Sequence, residues 1–326
     1  MVGGVSSLVP FRQLAFYCPY REFAVAKNGL LHRIWKNRII YLFISPFYIL
    51  FLIFGLFPIL WSFYLTFYEW DGLSEMKPIG LDNYSALLRD NTFFEALRNT
   101  TIYWVVDIVF ILLLALILAS LLHNVWLKGS KAMRVILFLP YVTATVAVGL
   151  VFNMIFDFNS GLINSILTSL NLVPQPWLNS TELSKIPVMV LNIWRTTPWY
   201  MLIIYSGLQT INPEYYEAAT VDGANAIQKL FYITIPSLAP ILFFCFLTET
   251  IESFRIFTEP FVMTSGGPGD SSLSIVLYLY RTGFQIFKMG YASTIAYALT
   301  FILLIISAAQ IFLLRKQGGV LEENPQ

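Results

Sequence analysis

Apolar residues in this chain run in long uninterrupted blocks, and the rare charges mark where the blocks end. Ile39 to Tyr68 and Val135 to Phe156 hold no charged residue, Asn99 to Leu127 only Asp107, Ile186 to Ile211 only Arg195, and Met289 to Leu314 none. A further block, uncharged from Leu230 to Thr248 and still apolar to Met263, places a helix at about 236–262. A bilayer core about 30 Å thick needs about 20 apolar residues per helix. The pattern therefore predicts an all-α membrane protein with six transmembrane helices. Barrel strands are excluded because they alternate in units of about ten residues. Between the blocks, Leu162, Ile163, Ile166, Leu167 and Leu170 recur at helical spacing, which predicts a helix over 161–170 lying along the membrane surface. The 273–288 stretch reads as a second such helix, apolar but too short to span and broken by Arg281 and Lys288.

Composition agrees. The chain has 326 residues, of which 12% are charged, against about a quarter in soluble domains, and its mean hydropathy is +0.68. With 17% aromatic residues it is not a disordered chain, and a net charge of +1 supplies no field for nucleic acid. Cys18 and Cys245 form no disulfide framework, and His32 and His123 no metal cluster. Six spans put both termini on one side, and twelve Lys and Arg flank that side against six on the other, which makes it cytoplasmic. The first block begins behind a polar tail and is too long for a cleaved signal peptide, so it reads as a permanent anchor.

The expected organisation is a cytoplasmic tail over 1–38, a membrane domain over 39–314 and a short tail over 315–326. The loop between spans four and five has its own chemistry. Asn212 is placed to cap a helix with Pro213 at its first position and Glu214 in its first turn. Gly223 is placed to end it in the left-handed conformation. A second helix then leads to Pro236 and Pro240, where the chain enters the membrane. Two short helices with hard stops predict a rigid cytoplasmic knob over 212–236.

Glu217-Ala218-Ala219, Asp222-Gly223-Ala224, Ile233 and Pro236 together resemble the EAA signature of membrane-spanning permease subunits of ATP-binding-cassette (ABC) importers. Thr264-Ser-Gly-Gly-Pro268 resembles the loop that follows span five in maltose and glycerol-3-phosphate type permeases, in particular the first of their two permease subunits. The resemblance implies a type I importer fold in the bacterial inner membrane. It also implies a second homologous permease subunit, two ATPase subunits, an extracytoplasmic solute-binding protein met by the outer loops 69–98, 157–186 and 264–289, and a sugar or oligosaccharide substrate. Glu217, Ala218, Ala219, Asp222, Gly223 and Ala224 would couple to the ATPase. The chain has no Gly-x-x-x-x-Gly-Lys-Ser/Thr phosphate loop, so it is expected to be no enzyme and to hold no cofactor, with ATP and Mg on the partner ATPase.

Charges inside spans are costly, about 2.5–3.5 kcal/mol each at the bilayer centre. Glu249, Glu252, Arg255 and Glu259 in span five must therefore face protein or water. Glu249, Glu252, Ser253 and Ile256 share one helix face, as do Asn192, Arg195, Thr196 and Trp199 in span four. Through the two motifs, these faces match the positions that line the sugar site in maltose-type permeases. Trp199 would stack on a sugar ring. A structural alternative is a helix-to-helix lock in which Arg195 pairs with Glu249 or Glu252, or an interface with the second permease subunit; Asp107 has no partner evident from spacing and is either structural or on the path. Arg195 points to an acidic sugar or sugar phosphate, whereas Glu249 and Glu252 point to a cationic or merely hydroxylated ligand. An ion-gradient-driven secondary transporter using the intramembrane carboxylates is the rival reading, and a membrane-embedded enzyme a more remote one.

Overall fold

A computed structural model describes residues 35, 38–123 and 129–322. Most of the tail expected over 1–38 and the end of the second apolar block at 124–127 lie outside the described residues. Packing divides the described residues into a unit ending at Ile59 and one beginning at Leu60. The first holds α1 (Arg38–Phe51), which has no buried residue, and a π-helical turn over Leu52–Leu56.

Helix α2 (Phe57–Leu65) leads to a two-residue hairpin, β1 (Tyr68–Glu69) antiparallel to β2 (Lys77–Pro78), and to α3 (Asp82–Leu87). Next come α4 (Asn91–His123), α5 (Ser130–Val142), α6 (Thr145–Ile155), α7 (Leu162–Ser169) and α8 (Lys185–Leu208). The segment between α8 and the next long helix comprises α9 (Pro213–Val221), α10 (Ala226–Lys229), a π-helical turn and α11 (Ile235–Ser237). The remainder is α12 (Ala239–Phe254), α13 (Thr258–Met263), α14 (Ile275–Tyr280) and α15 (Met289–Glu322).

Among the described residues, three helical segments are long and apolar enough to cross a membrane: Arg38–Leu65, Asn91–His123 and Met289–Leu313. Two bent pairs raise the number to five: Lys131–Val142 with Thr145–Ile155 at 90°, and Ala226–Ser237 with Ala239–Met263 at 72°. Helix α8 has the length, with 24 residues, but Asn192, Arg195, Thr196 and Thr197 dilute its apolar content.

The continuous spans expected over 135–156 and 236–262 are thus each broken, and the causes are local. Pro140 removes a backbone donor in α5, the hydroxyl of Thr143 donates to the Pro140 carbonyl at 2.7 Å, and Thr143 and Ala144 are extended. The second pair bends at Leu238, between Pro236 and Pro240. Its membrane helix breaks again at Arg255–Phe257, where Phe257 leaves helical geometry.

The core lies between α4, α8 and α12. Ile111, Ala115, Ala119 and Leu122 meet Tyr200, Met201, Ile204 and Leu208, with Leu238 and Cys245 closing the cluster. In lipid, burial between helices gains no hydrophobic energy, so close packing by small residues takes over. Gly207 shows how close: a Cβ there would sit 2.4 Å from Ile241 Cδ1.

Helix α7 forms within the predicted 161–170 segment and leaves Leu162, Ile166 and Leu170 exposed, while Ile163 packs against the cluster around Phe156. The 273–288 stretch departs from expectation. Leu273, Ile275 and Leu277 are buried beside Phe93 and Ala96 of α4 and Ile295 and Leu299 of α15, so the first half of the segment is core, while Phe284, Ile286 and Phe287 stay exposed.

Candidate functional site

A cavity of about 510 Å³ opens between α5, α8, α12 and α13. Seven of the eight residues expected on the substrate path line it: Asn192, Arg195, Thr196, Trp199, Glu249, Glu252 and Ile256. Ser253 lies just behind, 1% exposed, and donates to Glu249 Oε1 at 2.9 Å. The second Glu249 oxygen, Oε2, is buried, and the Tyr200 hydroxyl lies beside the carboxylate.

The ion pairing differs from the expected lock. Arg195 bonds neither Glu249 nor Glu252; its Nη2 and Nε reach Glu259 Oε1 at 3.1 and 3.2 Å. A continuous span five would carry Glu259 ten residues, about 15 Å, beyond Glu249, whereas the break at 255–257 starts a new helix, α13, with Glu259 in its first turn beside Arg195. Glu252 instead pairs with Arg255 at 3.3 Å, both side chains being about 60% exposed. Each cavity guanidinium therefore already holds a carboxylate.

Asp107 gains the partner that spacing could not supply. It is fully buried on α4, and its Oδ2 accepts from Asn192 Nδ2 at 2.7 Å. Asn192 Oδ1 in turn accepts from Thr196 at 3.2 Å. Asp107 thus backs the cavity wall without lining it. Trp199 is half-exposed and stacks on Tyr141 with ring centroids 5.1 Å apart and planes at 16°. Tyr141, Thr145, Tyr200, Phe244, Thr248 and Thr258 also line the cavity and were missed by the sequence reading. Their only signal was polarity or aromaticity inside apolar blocks, too common to single them out.

The Thr264–Pro268 loop follows α13 and is tightly held. Thr264 Oγ1 meets Ser272 Oγ at 2.7 Å, Ser272 Oγ donates to the Gly267 carbonyl, and the Arg281 guanidinium bonds Asp270 and the Ser265 carbonyl. From α4, Asn99 donates to the Asp270 and Leu273 carbonyls and Tyr103 to the Ser272 carbonyl. Near this end of the molecule, burial works against ionisation of Asp90. Hydroxyl donors from Tyr278 and Tyr291, with the amides of Phe93 and Thr92, outweigh it and hold the carboxyl below its ordinary value.

The knob over 212–236 folds largely as its residues predict. Asn212 accepts from the Glu214 amide at 3.1 Å and Pro213 opens α9. Gly223 closes it at φ +80°, with Ala224 donating to the Ala219 carbonyl at 2.8 Å. Asn225 and Gln228 form a reciprocal capping box on α10. Lys229 Nζ to Thr220 at 2.8 Å and Tyr216 to Thr234 at 2.9 Å fasten the two arms. Glu217, Ala218, Asp222 and Gly223 are exposed, and Ala219, Asp222, Gly223 and Ala224 line a shallow cleft with Tyr232 and Ile233.

A bundle of broken helices surrounds a polar cavity, with a capped knob between two of them. Residues 111–314 match the family described as binding-protein-dependent transport system inner membrane component, and the chain belongs to that family. A probable ABC transporter permease of Bacillus subtilis, YurN, is 34% identical, covering 84% of this chain and 96% of that protein. The lactose transport system permease LacF of Rhizobium radiobacter is 33% identical, covering 85% and 94%. The arabinooligosaccharides transport system permease AraP of Bacillus subtilis is 35% identical, covering 82% and 85%. A bacterial ABC transporter involved in importing the acidic polysaccharide alginate has the same fold, with TM-score 0.77 over 88% of this chain and 98% of that one at 23% identity. Family membership favours binding-protein-dependent transport over the ion-gradient and enzyme readings.

Proposed function

We propose that this chain is a permease subunit of an ABC importer that brings a sugar or oligosaccharide into the cytoplasm, working with a second homologous permease, two ATPase subunits and an extracytoplasmic binding protein in the bacterial inner membrane. The observation that carries the proposal is the cavity, where the polar faces of spans four and five converge at mid-chain depth while the surrounding helix surfaces stay apolar. Relatives named for lactose and arabinooligosaccharide transport support the sugar assignment.

Helix α8 is span four in this reading and completes the set of six. Its 24 residues reach about 36 Å, and Asn192, Arg195 and Thr196 turn into the cavity, away from lipid. Both termini are then cytoplasmic, as the excess of basic residues on that side supports. The exposed knob docks on an ATPase subunit through Glu217, Ala218, Ala219, Asp222, Gly223 and Ala224. ATP and Mg belong to that partner, and this chain is a transport subunit without a nucleotide site. ATP-driven closure of the ATPases moves the knobs, and the rigid turn at Leu238 passes that motion to α12, which bears Glu249 and Glu252. The outer loops, including Thr264–Pro268, meet the binding protein.

ATPase stimulation of the reconstituted complex with its binding protein, across neutral, acidic and phosphorylated sugars, tests this. Stimulation by at least one sugar class is expected; a complex indifferent to all three contradicts the sugar assignment.

A further inference from the structure

We infer that the cavity selects sugars that carry no negative charge and that Glu249 imposes this selection. The inference rests on the sugar-import reading and adds the class of sugar to it.

Both positive charges on the cavity wall are spent. Arg195 grips Glu259 through two nitrogens, and Arg255 holds Glu252. An acidic sugar would normally be recognised by a free guanidinium fork, and among the described lining residues no guanidinium lacks a carboxylate. Counting charged lining residues, three carboxylates face two guanidiniums. Asp107, immediately behind Asn192, adds a fourth acid.

Glu249 is the group left over. It is 1% exposed yet lines the cavity, with Ser253 donating to Oε1 and the Tyr200 hydroxyl beside the carboxylate. A buried carboxylate with two hydroxyl neighbours keeps spare acceptor capacity, which a ligand that brings a further donor fills. A sugar hydroxyl or an ammonium group does so. A uronate carboxylate or a phosphate offers only acceptors and negative charge in their place. Like charges set against each other across an interface discriminate strongly between partners. Trp199, already stacked on Tyr141, supplies a flat aromatic wall that is indifferent to charge sign on the sugar substituents.

The test uses the full importer complex, with both permease subunits and the ATPases, in lipid nanodiscs. It measures equilibrium binding of lactose, arabinotriose and maltotriose against trigalacturonate, without the binding protein, so that its own preference plays no part. Wild type is expected to bind at least one neutral sugar more than about tenfold tighter than the uronate. Glu249→Gln should narrow that ratio by at least about fivefold, while Glu249→Asp, which keeps the charge, preserves it. Equal binding of uronate and neutral sugars by wild type, or a ratio unmoved by Glu249→Gln, overturns the inference and leaves the sugar reading standing. Failure of every sugar to bind wild type removes the sugar reading, and this inference with it.

Discussion

The capped knob between α8 and α12 and the polar cavity are built from the same kinds of polar groups but at different ranges in sequence. Knob contacts join residues close together: Asn212 to Glu214, Asn225 to Gln228, Thr220 to Lys229, Tyr216 to Thr234. Cavity contacts join distant ones: Asp107 to Asn192, 85 residues apart, and Arg195 to Glu259, 64 apart. The knob is exposed and depends on backbone geometry, so it tolerates loss of single hydrogen bonds but not of its turn. Asp107 and Glu259 at the cavity are buried and depend on pairing, so removing the partner of either strands it.

Breaking the turn gives the largest effect. Gly223 sits at φ +80°, which a proline ring, locked near −65°, cannot adopt. Gly223→Pro is expected to abolish uptake and ATPase stimulation in proteoliposomes while membrane insertion, read by fractionation, persists. Normal uptake by this variant would falsify the coupling role.

Next is the buried pair. Arg195→Met leaves Glu259, 5% exposed, without its cation, and a stranded buried charge costs about 3–5 kcal/mol. Thermal unfolding of the purified complex should register that loss, and Arg195→Met with Glu259→Gln should recover most of it. If the double variant is no more stable than the single one, the pair is not what holds α13 to α8. A smaller change follows from Asn192→Ala, which removes the donor to Asp107 and costs about 1–3 kcal/mol. Asn225→Ala, which removes one cap in the exposed knob, costs about 1 kcal/mol and is expected to lower knob protection in hydrogen exchange without stopping transport.

The smallest effect is electrostatic. Amides of Ser74 and Leu73 and the Ser74 hydroxyl donate to Asp71, holding its carboxyl at about 2. A depressed folded value means the turn's stabilisation is complete above the ordinary aspartate range and fades as pH falls toward about 2. The protection factor of the Ser74 amide should be unchanged between pH 7 and 5 in wild type and lower in Asp71→Asn.

The contrast in range also explains what was legible beforehand. The caps at Asn212 and Gly223 and the bend near Pro236 and Pro240 depend on neighbours along the chain, and they appear where residue type places them. Helical periodicity likewise put two polar faces on spans four and five, and the fold brings them to one cavity. Periodicity could not foresee the break at Arg255–Phe257, which delivers Glu259 to Arg195 in place of Glu249. Nor could it match Asp107 with Asn192, since that depends on the register of α4 against α8. The first half of the 273–288 stretch was misplaced because its apolar residues serve a protein core and a membrane surface equally well; only α4 and α15 decide between them.

Binding-protein-dependent sugar uptake into proteoliposomes, measured with and without internalised ATP and with and without an ionophore, tests the central claim most directly. ATP-driven import through this chain predicts uptake that requires ATP and persists when the ion gradients are collapsed. Uptake that survives without ATP and stops with the ionophore would contradict it.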